Sequence, residues 1–245
     1  ESRRPLLDLG RRAGVAVRCV WMQTTIEQAQ YNACERMVRA HGRLLSPDEV
    51  RAAGKRDPNT FTPAALFSYR KRFEEPSLAE GFAAVERAPF HRGAQGPEYS
   101  RKALLLDYDG TLRTTKSGEK YPRAPDDIEI LPGRPEALRR LRDEGWLLLG
   151  VSNQGDVSRG KLTVDDARRC FAHTNALLGV DIEVSFCPHE PAPIACWCRK
   201  PMPGHAVDFI ERHKLDRTQT LMVGDMTSDK TFASRAEVGF TAWRW

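Results

Sequence analysis

No run of apolar residues in this 245-residue chain approaches the roughly 18 needed to cross a bilayer, so no membrane-spanning helix is predicted. Residues 1–12 are charged and have no apolar core, so they are not expected to be a secretory signal peptide. A chain that opens on Glu1 rather than Met is expected to have lost an upstream segment. Neither an internal repeat nor a low-complexity tract occurs. Together these absences predict a soluble, cytoplasmic protein with no membrane partner; they set no oligomeric state.

Composition is otherwise ordinary, with 40% apolar and 29% charged residues. The net charge of +5 mildly favours acidic or phosphorylated partners. Residues 1–100 hold 16 Lys+Arg against 12 Asp+Glu, and the remainder 22 against 21, so the excess is scattered arginine in the first part. That pattern reads as a solvated basic face. Of six cysteines, Cys187, Cys196 and Cys198 crowd into twelve residues with His189 among them, a metal pattern rather than a disulfide one. Cys19, Cys34 and Cys170 are expected to be core residues.

Residues 89–100, punctuated by Gly and Pro, read as a linker between a unit at 1–95 and a domain at 96–245. Beyond the linker, strands are predicted at 103–106, 146–151, 182–186, 220–223 and 240–242. Helices are predicted at 134–144, 163–178, 204–213 and 228–236. Such alternation means an α/β doubly wound parallel sheet, helices on both faces, with ligands beyond the carboxyl ends of the strands. The first part predicts strands at 15–21 and 82–88, helices at 25–40 and from 46, and a helix start at the Ser77–Glu80 capping box. One clear strand-helix unit reads as part of a domain.

The chemistry concentrates at L-L-L-D-Y-D-G-T, residues 104–111, where an apolar strand runs into Asp107 and Asp109. Two carboxylates held this close repel each other, and a bound cation is the natural compensation. Three further groups follow apolar strands: Ser152 with Asn153, Arg199 with Lys200, and Asp225 with Asp229. This set resembles the four motifs of the haloacid dehalogenase (HAD) phosphatase superfamily across residues 101–245. The resemblance implies that Asp107 attacks phosphorus and that Asp109 protonates the leaving oxygen and then activates water. Ser152 and Lys200 then bind phosphoryl oxygens, with Thr111, Asn153 and Arg199 as further substrate-binding residues. Asp107, the Asp109 carbonyl and Asp225 are the implied Mg²⁺ ligands, and Asp229 supports Lys200 or the metal's outer shell.

The run C-P-H-E-P-A-P-I-A-C-W-C-R-K-P places Cys187, His189, Cys196 and Cys198 as four soft ligands suited to tetrahedral, structural Zn²⁺. The loop is Pro-rich and short of apolar side chains, so metal is its expected source of order. It resembles the loop of the heptose bisphosphate and histidinol-phosphate phosphatases, the zinc-containing branch of the superfamily. One departure is Met226, where heptose bisphosphate phosphatases commonly carry Lys.

Two other stretches resemble polynucleotide end-processing enzymes. D-G-T-L-R-T-T-K-S-G-E-K-Y-P (109–122) is similar to polynucleotide 3′-phosphatases. Residues 14–90, above all Y-R-K-R-F-E-E-P-S-L-A-E-G-F (69–82), are similar to the second half of a polynucleotide 5′-kinase domain. No G-x-x-x-x-G-K-[ST] occurs, so no kinase activity is expected from this chain, and Arg36 and Arg70 read as surface residues. Three functions follow as expectations. The first is removal of 3′-phosphates from nucleic-acid ends. The second is hydrolysis of a small phosphomonoester, D-glycero-D-manno-heptose 1,7-bisphosphate or histidinol phosphate. In the third, the amino-terminal part is a docking module without catalysis.

Overall fold

The structure, a computed structural model, describes residues 3–243, so Glu1 lies outside the described residues. Helix α1 (Arg4–Arg12) opens the chain, followed by strand β1 (Arg18–Gln23) and helices α2 (Ile26–His41), α3 (Pro47–Ala53) and α4 (Pro63–Arg72). Strand β2 (Ala84–Pro89) returns parallel to β1, pairing Arg18 with Ala84 through Gln23 with Pro89. Helices α2 and α3 start on reciprocal capping boxes, Thr25 with Gln28 and Ser46 with Glu49, which satisfy free backbone N–H groups. The box at Ser77 and Glu80 closes only a 3-10 turn (Leu78–Glu80), because Gly81 at φ +109° ends it at once.

The second part begins with β3 (Arg101–Leu106), then the short antiparallel pair β4 (Arg113–Thr115) and β5 (Ile128–Ile130). It continues through α5 (Arg134–Asp143), β6 (Leu147–Asn153), α6 (Gly155–Ser158), α7 (Val164–Leu178) and β7 (Glu183–Cys187). Helix α8 (Gly204–His213), β8 (Leu215–Val223), α9 (Thr227–Ala236) and β9 (Gly239–Thr241) complete it. Five strands form one parallel sheet in the order β7-β6-β3-β8-β9. This is the α/β sheet expected from the alternating pattern.

Alternation along β3 divides the core. Leu104 and Leu106 face a layer with Leu138, Phe171 and Leu178, while Ala103 and Leu105 face Phe209, Ile210 and Phe232. Each such side chain removed from water contributes about 1.5–3 kcal/mol. A third cluster joins the two parts of the chain: Tyr31, Ala33, Cys34, Met37 and Val50 pack with Trp197, Met202 and Val207.

Three expectations need correction. Cys19 is only half-buried, because β1 belongs to a two-stranded sheet that covers little of it; Cys34 and Cys170 are core residues. Residues 90–100 have no regular structure, yet they form a seam rather than a free linker. Arg92 donates to Asn32 (2.8 Å) and Glu237 (2.8 Å), and Gln95 donates to the Leu215 carbonyl (2.9 Å). Helices α1 and α4 fall where no element was predicted, although Pro63 at the first turn is a helix-start signal. Among the described residues no helix is long and apolar enough to cross a membrane.

Candidate active site

The β3–β8 ladder runs one residue past β3, with the Asp107 amide donating to the Val223 carbonyl at 3.0 Å. The chain then turns at Gly110, φ +87°, where a Cβ would stand 2.5 Å from Asp225 Oδ2. A side chain is therefore excluded there both by backbone conformation and by the Asp225 carboxylate. The intervening Tyr108 turns the opposite way into the core, donating its hydroxyl hydrogen to Asn175 Oδ1 (2.7 Å). Asp107 and Asp109 are thus left lining one cleft at the carboxyl end of the sheet, where Ser152, Lys200, Asp225 and Asp229 also arrive.

Lys200 is buried; its ammonium donates to Asp107 Oδ1 at 2.5 Å and to the Val151 carbonyl at 2.8 Å, and forms an ion pair with Asp229 Oδ1 at 2.8 Å. Burial alone lowers the pKa of a lysine, but the two carboxylates outweigh it and hold Lys200 above its ordinary value. Burial pushes Asp107 up to about 6 against the opposing pull of Lys200. Asp229 gives its other oxygen to the Met226 amide (3.0 Å), so both of its oxygens are engaged. Asp225 is exposed, with Thr111 Oγ1 3.4 Å away; the same hydroxyl lies 3.4 Å from Asp107 Oδ2.

Oxygen atoms of Asp107, Asp225 and Asp229 all lie within 4.8 Å of one another. An octahedral Mg²⁺ with bonds of about 2.1 Å spans about 4.2 Å between opposite ligands, so this carboxylate group fits the ion. Asp229 is shared between Lys200 and a backbone amide and Asp107 between Lys200 and Thr111, which leaves the exposed Asp225 the most open of the three.

Asp109 accepts from Arg113 Nε (2.8 Å) on one oxygen and from Gln154 Nε2 (3.2 Å) on the other. Gln154 Nε2 also reaches Ser152 Oγ at 2.9 Å, linking the two groups. Asn153 lines the cleft, but both ends of its amide are engaged with the Lys200 backbone, donating to the carbonyl (3.0 Å) and accepting from the amide (2.9 Å). Its expected place on the substrate thus becomes that of a brace for Lys200. Arg199 lines the cleft and donates to the His189 carbonyl (3.0 Å), tying it to the cysteine loop.

In that loop Cys187 Sγ lies 3.7 Å from Cys196 Sγ and 3.5 Å from His189 Nδ1, and His189 Nδ1 lies 3.2 Å from Cys198 Sγ. Tetrahedral Zn²⁺ with bonds of about 2.1–2.3 Å sets ligand atoms about 3.4–3.8 Å apart, so the four side chains fit the ion. Hydrogen bonds from Cys187 and Cys198 lower the Cys196 thiol from its ordinary value.

Arg113 and Gln154 were not singled out from sequence. The available signal was an arginine inside the short β-like run T-L-R-T-T, a weak one, since an exposed strand accepts arginine equally well. Trp197, between Cys196 and Cys198, was not singled out from sequence either, and it is buried.

Comparison with known proteins agrees with the cleft. A family model described as "Polynucleotide kinase 3 phosphatase" matches residues 102–242. A D-glycero-beta-D-manno-heptose-1,7-bisphosphate 7-phosphatase of Pasteurella multocida is 31% identical over 147 residues, covering 56% of this chain and 78% of that protein. The Haemophilus influenzae enzyme of the same name is 33% identical over 137 residues, covering 52% and 73%. The crystal structure of D,D-heptose 1,7-bisphosphate phosphatase from B. bronchiseptica, complexed with magnesium and phosphate, superposes with a TM-score of 0.50 at 29% identity, covering 58% of this chain and 79% of that one. The chain therefore belongs to the polynucleotide kinase 3 phosphatase family and is a HAD-type phosphomonoester hydrolase of the heptose-1,7-bisphosphate phosphatase type.

Proposed function

We infer that the chain is a Mg²⁺-dependent phosphatase of a small sugar phosphate carrying a second phosphate, of the class of D-glycero-D-manno-heptose 1,7-bisphosphate. The observation that carries this reading is the cleft. It holds about 530 Å³ between the 119–122 segment on one side and α6 on the other. That is within the range of about 300–1,000 Å³ typical of small-molecule sites. Arg159 and Arg199 line it, placing two guanidiniums to meet a second phosphate. The substrate named for the relatives supports the same choice, ahead of the polynucleotide end favoured from sequence alone.

In this reading Asp107, the Asp109 carbonyl and Asp225 would hold Mg²⁺, which would supply charge neutralisation for the phosphoryl transfer. Asp107 attacks phosphorus, forming an aspartyl-phosphate as the ester oxygen leaves. Asp109 gives that oxygen a proton and afterwards takes one from the attacking water. Lys200 and Ser152 hold phosphoryl oxygens, with Lys200 exchanging part of its hold on the carboxylates for the substrate. Cys187, His189, Cys196 and Cys198 would hold Zn²⁺, which would order the loop that carries Arg199 and Lys200. The division into units at 1–95 and 96–245 belongs to the same reading, and no kinase activity is assigned to this chain.

A second reading, removal of 3′-phosphates from polynucleotide ends, is favoured by the family description matched at residues 102–242. The deciding experiment is Mg²⁺-dependent phosphate release from heptose bisphosphate, histidinol phosphate and a 3′-phosphorylated oligonucleotide at equal concentration, with Asp107→Asn as the blank. Preference for the sugar bisphosphate, weakly dependent on salt, is expected. Preference for the oligonucleotide, falling steeply with salt, replaces the first reading by the second.

A further inference from the structure

Trp197 sits between Cys196 and Cys198, yet its side chain is only 1% exposed. It lies in the cluster formed by Tyr31, Cys34, Met37 and Val50 of the amino-terminal helices. Its Nε1–H donates to the Phe61 carbonyl at 2.8 Å, and the Phe61 ring meets it edge-on with centroids 6.2 Å apart. Its own carbonyl accepts from the Gly204 amide at 3.1 Å. A Cβ on Gly204 would stand 2.4 Å from that oxygen and 2.9 Å from Leu44 Cδ1, so this approach needs glycine. Three residues further on is Lys200, its backbone held by Asn153 and its ammonium by Asp107 and Asp229.

A backbone of five residues, 196–200, thus carries two cysteine ligands, one anchor under the amino-terminal helices and the buried cation of the active site. These positions cannot move independently. We propose that Trp197 is a positioning residue through which residues 25–73 govern both metal retention by the Cys187–His189–Cys196–Cys198 loop and the placement of Lys200. The inference rests on the reading of the loop as a Zn²⁺ site and of Lys200 as a phosphoryl-binding group. It assigns the amino-terminal unit a part in the phosphatase that is not mere tethering.

Phe61 gives the cleanest test, because it supports Trp197 and lines neither the cleft nor the thiol cluster. The full chain loaded with zinc would be mixed with a chromogenic zinc chelator in Mg²⁺ buffer, and the release rate recorded for wild type, Phe61→Ala, Trp197→Phe and Trp197→Ala. Outer-shell changes typically shift metal affinity about 10–100-fold, so release from Phe61→Ala and Trp197→Ala is expected to quicken by about tenfold or more. Trp197→Phe, which keeps an apolar ring, should stay nearest to wild type. Turnover of p-nitrophenyl phosphate should fall in the same order as release rises.

Folded Phe61→Ala protein that releases zinc at the wild-type rate overturns the proposal, as does faster release with unchanged turnover. If Trp197→Ala does not fold, Phe61→Ala decides alone. A chain that takes up no zinc overturns it too. Should no variant, wild type included, hydrolyse phosphate esters, the release rates still test the link between Phe61 and the loop while the phosphatase reading fails separately.

Discussion

Arg113 holds Asp109 from inside the protein: it is 1% exposed, and its Nη1 donates to the Cys170 carbonyl (3.1 Å) and to Thr174 Oγ1 (2.8 Å). Its guanidinium also lies over the Phe171 ring at 5.0 Å. Removing one partner of a buried ion pair costs about 3–5 kcal/mol of stability, and Asp109 would keep only Gln154. Arg113→Met is therefore expected to lower kcat by on the order of 10² for an alkyl phosphate, where the leaving oxygen needs a proton. The loss should be smaller for p-nitrophenyl phosphate, whose leaving group needs none; equal losses would remove Arg113 from the acid step. Asp107 makes a second case. Its carboxyl, raised to about 6 chiefly by burial, binds a proton more tightly in the fold than in the open chain. Between about pH 4 and pH 6 the folded state therefore holds extra proton, and the metal-free protein loses stability as pH rises through that window. Mg²⁺ competes with this proton. The rise in Tm on adding Mg²⁺ should be larger at pH 7.5 than at pH 5, and an equal rise at both would take Asp107 out of the metal site.

The loop of the β4–β5 hairpin lines one wall of the cleft. Its base is pinned by Lys116 to the Asp126 carbonyl (2.7 Å) and by Ser117 to Asp127 (2.9 Å), which projects Glu119–Pro122 along the cleft wall. Replacing residues 118–122 by two glycines should raise KM for a sugar bisphosphate at least several-fold while sparing kcat on phenyl phosphate, since Glu119 is bonded to Thr115 and Ser117 of the hairpin itself rather than to Asp107 or Asp109. A parallel loss on both substrates would make the hairpin part of the catalytic scaffold. Neither strand of this hairpin was legible in the sequence. Three residues are too few for alternation to register, and Arg113 breaks what pattern there is. The long elements behaved oppositely: β3, β6, α7 and α8 announce themselves through apolar periodicity because each buries a face against the sheet. Asp107, Asp109 and Asp225 were legible for a related reason, standing just after such strands, whereas Lys200 was legible from the R-K-P run that ends the cysteine loop. Contacts between distant segments, such as Trp197 with Phe61, leave no periodic trace.

At the scale of the whole molecule, the amino-terminal part shares a core with the phosphatase. Helix α2 lies against α8, Arg39 reaches Glu211 at 3.2 Å, and Arg92 lies 3.8 Å over the Tyr31 ring while bonded to Glu237. If residues 1–95 were a docking module, a fragment of 96–245 would keep its stability and turnover. The packing argues otherwise, because the deletion strips cover from Trp197, Met202 and Val207, each now about 1% exposed or less. At about 1.5–3 kcal/mol per side chain, with the lower end preferred because partly collapsed chains hide some of this surface, the loss is about 5 kcal/mol. For a domain of this size that corresponds to a fall in Tm of about 10 °C or more. The fragment should also bind an apolar dye that the full chain does not, since the uncovered side chains form one contiguous patch. Thermal unfolding and dye titration of the two proteins side by side would decide it. A fragment with unchanged Tm and no dye binding would make the shared cluster a weak contact and restore the docking-module reading; a destabilised, dye-binding fragment would mean that the amino-terminal helices are part of what makes the phosphatase fold.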